Sequence, residues 1–324
     1  GCVRSERNLF SMMKEKLAMK FIGTGLAHGK RKVLNDDLAK IMDTSDEWIR
    51  EKSGIESRWF ADGQSNADIA CEASLKAIEE SGLSARDIDA VIVCTFTADK
   101  ATPGVATEIC GMLGLREDVL ATDVNGACSG FIYGAIVANA LLHTGSYQNI
   151  LLVGSETISS FMSMKDRGTD VLFGDGAGAA VCTLREDGFF AHLEGVISDS
   201  EVLYCERFEQ RISMQGQEVY RFAVNKIPEV TKELLDQNGV DKDDVDFFIF
   251  HQANKRIIRS IASKLGVPIE KCFMDLEEYG NTSAASVAIA MADMRDKGLL
   301  KPGMLAVSVG FGAGLTYGGM LFRA

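Results

Sequence analysis

Tryptophan (2 residues), proline (4) and histidine (4) are all rare in this chain of 324 residues. So little proline beside 32 glycines argues against flexible linkers and for tight turns and close backbone approaches. No two cysteines form a C-x-x-C pair, and none stands at zinc-ligand spacing with a histidine. A metal centre is therefore not expected. The chain also lacks a dinucleotide fingerprint with its acidic partner, so no redox cofactor is expected. Positive charge is in deficit: Lys plus Arg is 34, Asp plus Glu is 46, and the net charge is −12. A general nucleic-acid binder is excluded, because neutralising phosphates needs a basic face. No apolar run approaches the roughly 18 residues of a spanning helix, which excludes an integral membrane protein. What remains is 46% hydrophobic and 25% charged, the balance of a globular protein rather than a disordered one. The length suits two domains or one large duplicated unit.

The eight cysteines are Cys2, Cys71, Cys94, Cys110, Cys128, Cys182, Cys205 and Cys272. An even count permits disulfides, but a chain this long buries a sufficient core without them. Most lie in apolar segments, where a free thiol acts as a small hydrophobe. A reducing, cytoplasmic compartment is expected, with one cysteine reactive. Residues 1–18 hold no apolar stretch of signal-peptide length and read as an upstream extension or remnant before the strand-like run from Met19.

The chain is written twice. SGLSARDIDAVIVCT from Ser81 recurs as NGVDKDDVDFFIFHQ from Asn238, so that Gly82, Asp87 and Asp89 return as Gly239, Asp244 and Asp246, each 157 positions later. Leu113-Gly-Leu returns as Leu265-Gly-Val, and Val153 in ILLVGSE matches Val309 in MLAVSVG. Apolar residues at helical spacing predict helices over Asn66–Ser81 and Phe222–Asn238. Their alternation with buried strands predicts a duplicated, layered α/β fold: an N-terminal half at 19–190 and a C-terminal half at 191–324, each built on a mostly parallel sheet.

The repeat itself proposes a site. It aligns His251 with Cys94 at a strand end, and Cys128 with Asn281, so equivalent loops of the two halves bring Cys128, His251 and Asn281 together. Cys128 lies in ATDVNGACSGFIYG, a strand-to-helix turn of small residues. A helix N-terminus there would lower the thiol pKa, and the small neighbours would leave room for a carbonyl. Taken singly, each residue has a plainer reading: a core thiol, a strand-end histidine, and a Gly-Asn turn. His28, His143 and His192 read as surface or capping residues.

The strings ACSGF, FGDGAGAAV, GQEVYRFAV, HQANKRII, GNTSAAS and GFGAGLTYG, in this order from Met19 to Ala324, resemble the β-ketoacyl-[acyl-carrier-protein] synthase III family. The resemblance implies a thiolase-like αβαβα fold and a homodimer that starts type II fatty-acid synthesis. It places the family's Cys-His-Asn triad on Cys128, His251 and Asn281. Elongating synthases of this fold carry a second histidine in place of Asn281, and thiolases a second cysteine where this chain reads GFGAGLTYG. The substrates implied are an acyl-CoA primer and malonyl-[acyl-carrier protein], with CoA entering as substrate rather than cofactor. The amides of Cys128 and Ala313 would form the oxyanion hole. The family commonly has glycine at the latter position, so Ala313 would be strained at positive φ.

The same resemblance puts the CoA adenine between Trp48 and Arg167, two planar groups suited to stacking. Lys52 stands where an arginine is frequent, and Gly216 and Asn254 match pantetheine contacts. Without the family, Trp48 reads as an amphipathic-helix residue and Arg167 as a loop charge. Lys255, Arg256, Arg259 and Lys264, with Arg221, make a basic patch in an acidic chain, suited to an acidic carrier protein. The family's pocket floor comes partly from the dimer mate near Ala101–Gly104, and Thr102, where some members have phenylalanine, suggests room for a branched or longer primer. Rival readings are a condensing enzyme for a polyketide or specialised starter, and a non-catalytic acyl-thioester-binding partner.

Overall fold

A computed structural model describes residues 17–206 and 211–324. Most of the upstream extension, residues 1–16 with Cys2, lies outside the described residues. Its last residue belongs to the fold, because Ala18 opens the first strand opposite Arg185.

The first half contains β1 (Ala18–His28), β2 (Arg31–Leu34), α1 (Asn35–Ala39), α2 (Asp46–Ser53), β3 (Ser57–Phe60), α3 (Asn66–Ser81), β4 (Ala90–Cys94), α4 (Val105–Leu113), β5 (Leu120–Val124), α5 (Gly130–Thr144), β6 (Asn149–Glu156) and β7 (Gly176–Arg185). The chain then crosses to β8 (Phe190–Asp199), β9 (Leu203–Glu206), β10 (Arg211–Met214), α6 (Gly216–Gln237), β11 (Phe247–Phe250), α7 (Lys255–Leu265), α8 (Leu276–Tyr279), α9 (Ser286–Asp296), β12 (Leu305–Gly312) and β13 (Gly314–Arg323).

Helix α3 occupies the predicted span because its ends are chemically marked. Ser65 and Asp68 form a capping box, and Gly82 closes the helix at φ 73°. Helix α6 starts earlier than predicted, at Gly216 rather than Phe222, and accommodates Pro228 in its interior.

Two sheets carry the fold, ordered β1-β7-β6-β4-β5 and β11-β12-β13-β8. They are mixed rather than mostly parallel. The strands β4, β5 and β6 run parallel, as do β11 and β12, whereas β7 and β13 fold back antiparallel. The tight β12–β13 connection leaves no room for a crossover helix, so β13 must reverse direction. A parallel bridge from Phe248 to Cys272 stands where a fifth strand would complete the second sheet.

Helices α3 and α4 cover the outer face of the first sheet, and α6 and α7 that of the second. Helices α5 and α9 lie between the sheets, in a core that includes Phe131, Ile132, Val287, Ala288 and Met291. The result is five layers, αβαβα. The stretch Ala127–Thr144 is long and apolar enough by composition to cross a membrane, contrary to the expectation that no such run exists. Its place between two sheets, with Phe131, Ile132, Ala135, Ala138 and Leu142 buried, explains why it is apolar all round.

Candidate active site

Ladder register fixes the repeat. Val93 pairs with Val153, and Phe250 with Val309. His251 therefore follows β11 as Cys94 ends β4, as the repeat predicts. The second alignment needs correction. A 3₁₀ turn at Ala127–Ser129 leads into α5, and its copy at Ser283–Ala285 leads into α9. Both turns open on a non-glycine residue in left-handed conformation, Ala127 at φ 46° and Ser283 at φ 50°. In each, that residue's N–H donates to an asparagine side chain two residues back: Asn125 at 3.2 Å and Asn281 at 2.9 Å. Asn281 is thus the counterpart of Asn125, and Cys128 that of Ala284. Insertions between the halves shift the register by three positions from the expected alignment.

Cys128, His251 and Asn281 nevertheless line one cavity of about 780 Å³. Each is placed by backbone. The His251 N–H donates to the Val309 carbonyl at 2.9 Å. Asn281 is sewn to the FGDG segment: its N–H donates to the Leu172 carbonyl at 2.8 Å, and its carbonyl accepts from Gly174 at 3.0 Å. Gly280 turns the chain into that position at φ 69°, where a Cβ would meet the Leu172 oxygen at 2.9 Å.

Electrostatics differ from the expectation at Cys128. Burial dominates the helix N-terminus and pushes the thiol up to about 12, opposed chiefly by a hydrogen bond from the Ser283 hydroxyl. That hydroxyl lies 3.2 Å from the Cys128 sulfur. His251 is 1% exposed, and burial pushes its ring down to about 3, so the imidazole is neutral at pH 7. The Phe311 ring stands edge-on to it, with centroids 5.3 Å apart. Its Nδ1 lies 2.7 Å from the Ser286 hydroxyl. When that hydroxyl donates, the proton rests on Nε2 and makes that nitrogen a donor.

A Cβ on Gly312 would sit 2.7 Å from the Cys128 nitrogen, so glycine there keeps the space at that amide clear. Ala313 lines the same cavity. Among the described residues, the non-glycine positions with positive φ are Asp62, Ala127, Met164 and Ser283, so Ala313 does not meet the condition under which it would be strained. Buried Glu156, pushed up to about 8 by desolvation, holds the loop after β4 through the Thr95 hydroxyl (3.1 Å) and the Thr97 N–H (3.2 Å).

Trp48, Lys52, Gly216 and Asn254 line the cavity. The Arg167 guanidinium lies 5.1 Å from the Trp48 ring centroid and bonds to the Asp43 carbonyl at 2.8 Å, so a base entering between the two must part them. Asn254 caps α7, accepting from the Arg256 N–H at 2.8 Å and donating to the Lys52 carbonyl at 3.0 Å. Lys52 pairs with Glu51 at 2.7 Å. Within the basic patch, Lys255 pairs with Glu277 and Arg221 with Glu218. Lys264 bonds to Asn225 at 2.7 Å. Arg256 and Arg259 are exposed, and neither forms an ion pair among the described residues. Ala101 and Gly104 line the cavity within this one chain, whereas Thr102 does not. His28 stacks on Trp59, His143 bonds to the Asn139 carbonyl and His192 to Glu194. The seven described cysteines are free.

The residues missed by the sequence reading are Ser283, Ser286 and Glu156. Only Ser283 had a usable signal, the parallel between Asn125-Gly-Ala and Asn281-Thr-Ser.

A duplicated five-layer fold in which a cysteine-bearing turn shares one cavity with a histidine and an asparagine of the other half has the architecture of the thiolase-like condensing acyltransferases. Comparison with known proteins narrows it. The profile described as 3-Oxoacyl-[acyl-carrier-protein (ACP)] synthase III matches residues 122–196, and its C-terminal counterpart matches residues 235–324. The β-ketoacyl-[acyl-carrier-protein] synthase III 1 of Bacillus anthracis is 42% identical over 93% of this chain and 97% of its own. The crystal structure of 3-oxoacyl-[acyl-carrier-protein] synthase III from Aquifex aeolicus superposes with TM-score 0.92 at 39% identity, covering 94% of this chain and all of that one. The priming β-ketosynthase of the R1128 polyketide pathway superposes with TM-score 0.90 at 31% identity, covering 94% of this chain and 96% of that one. The chain belongs to the β-ketoacyl-[acyl-carrier-protein] synthase III family.

Proposed function

We propose that this enzyme loads an acyl group from an acyl-CoA primer onto Cys128 and condenses it with malonyl-[acyl-carrier protein]. The single observation that carries this reading is the convergence of a thiol, a neutral imidazole and a carboxamide on one cavity. In the first half-reaction the Cys128 sulfur attacks the primer carbonyl. The Cys128 and Ala313 amides hold the oxyanion, and the bond to the CoA sulfur breaks as that sulfur takes up the proton that the Cys128 thiol gives up. In the second half-reaction the malonyl thioester loses carbon dioxide. His251 Nε2–H and the Asn281 amide hold the resulting enolate oxygen. The enolate carbon attacks the acyl-Cys128 carbonyl, and the Cys128 thiolate leaves. The products are β-ketoacyl-[acyl-carrier protein], CoA and carbon dioxide, and no metal or redox cofactor takes part.

Trp48, Arg167, Lys52, Gly216 and Asn254 receive the CoA. Arg256 and Arg259, exposed on α7, the helix whose Asn254 cap and Ile257 line the cavity, dock the acidic carrier with Lys255, Lys264 and Arg221. A homodimer is supported by β5, an edge strand among the described residues, which carries exposed Leu120 and packs on the helices that carry exposed Met112 and Val137; the mate would bring Thr102 to the pocket. The working compartment is the cytoplasm, where the thiols stay reduced.

The test uses radiolabelled acetyl-CoA. His251→Ala and Asn281→Ala should still acquire label at Cys128 while malonyl decarboxylation falls by two orders of magnitude or more, each donor being worth roughly 2.7–4 kcal/mol. Failure of both variants to load would overturn this division of roles. Because the polyketide priming enzyme shares the fold, malonyl-CoA and malonyl-carrier protein should be compared as extenders. A preference for the CoA ester would favour a specialised starter pathway.

A further inference from the structure

We propose that Ser283 is a fourth catalytic group of this site, its hydroxyl holding the Cys128 sulfur as a thiolate both when it attacks the primer and when it leaves the condensation product. The inference rests on the reading of Cys128 as the acylated nucleophile.

The turn at Ser283–Ala285 is the second half's copy of the nucleophile turn, and the two turns abut between the sheets. The copy has no nucleophile, since Ala284 stands where Cys128 stands. What it presents instead is a hydroxyl one position earlier, 1% exposed and 3.2 Å from the sulfur. The corresponding residue in the first half, Ala127, has no side-chain donor. Ser283 also reaches a second member of the site, because its N–H donates to the Asn281 Oδ1 at 2.9 Å. That bond uses the amide oxygen and leaves the Asn281 NH₂ to face substrate. One residue thus contacts both the reacting sulfur and the group that orients the enolate.

The sulfur needs such a donor. Water is excluded as the cavity fills, and a buried thiolate without a partner is strongly disfavoured. In acylation the thiolate forms as the sulfur gives up its proton, which leaves with the CoA thiol, and the new S–C bond consumes the sulfur's charge. In condensation the S–C bond breaks and the electron pair returns to the sulfur. A hydroxyl donor lowers the cost of the charged form at both moments, and a better-stabilised thiolate also leaves faster.

The backbone makes a clean test available. Alanine occupies the matching left-handed position in the sister turn, at φ 46°, so Ser283→Ala keeps a conformation that alanine already adopts in this fold. Ser283→Gly removes the hydroxyl where glycine is least strained. Losing one hydrogen bond to a charged group reduces the thiolate population roughly ten- to a hundredfold. The intrinsic nucleophilicity of the more basic thiolate recovers part of this. The net expectation is an acylation and an iodoacetamide alkylation rate about three- to tenfold lower at pH 8 in both variants, with CoA release measured in a single turnover of acetyl-CoA. Rates within 1.5-fold of the parent enzyme in both assays would overturn the proposal. So would normal acylation with lost malonyl decarboxylation, which would assign Ser283 to orienting Asn281 alone. Peptide mapping of the acylated parent enzyme separates the two levels. Acyl label absent from Cys128 sinks the underlying reading. Label on Cys128 with unchanged Ser283 variants sinks only this inference.

Discussion

Replacing the buried imidazole with a side chain that cannot titrate should change how the protein responds to acid, by an amount the structure sets. Burial holds the His251 ring at about 3, against an ordinary 6.5. Below pH 6.5 the unfolded chain therefore binds a proton that the folded chain refuses until about pH 3. Stability contributed by this group is complete above 6.5 and is lost as pH falls through that window. Between pH 7 and pH 5 the loss spans about 1.5 pH units, or about 2 kcal/mol at 1.36 kcal/mol per unit. His251→Gln keeps a polar side chain of similar reach and removes the proton site. Urea unfolding of both proteins at pH 7 and pH 5, at equal protein concentration, should show the parent losing about 2 kcal/mol more than the variant. The same burial predicts malonyl decarboxylation without an acid limb near pH 6.5, since the ring that donates to the enolate stays neutral throughout. Equal acid sensitivity of the two proteins, or an inflection near 6.5 in the parent's decarboxylation profile, would refute the reasoning.

Other perturbations probe separate parts of the site. Gly312→Ala places a methyl 2.7 Å from the Cys128 nitrogen and should cut acylation at least a hundredfold, the usual effect of losing one oxyanion donor; burst kinetics with acetyl-CoA check this. Arg256→Glu should raise the KM for malonyl-carrier protein tenfold or more and leave that for the CoA primer within twofold, in steady-state assays with each substrate varied. Trp48→Ala should weaken CoA binding by calorimetry while leaving the iodoacetamide reactivity of Cys128 unchanged.

Legibility varied from element to element for physical reasons. Helix α3 was readable to the residue because Ser65, Asp68 and Gly82 encode its ends locally. Helix α6 was not, since its first turn rests on Gln215 without a side-chain cap. Cys128, His251 and Asn281 could be named from small-residue turns, strand ends and family strings. The thiol's pKa could not, because a helix terminus visible in the sequence competes with a burial that only packing creates.

By itself the amino-acid order determined that this chain is two related α/β halves bearing a thiol, an imidazole and a carboxamide, because periodicity, turn chemistry and repetition are local properties. Tertiary structure alone decided the mixed direction of the sheets, the true counterpart of Cys128, the neutrality of His251 and the presence of the Ser283 hydroxyl at the sulfur. Those depend on which surfaces of the two halves meet, over separations such as the 155 residues between Cys128 and Ser283, and no local pattern encodes them.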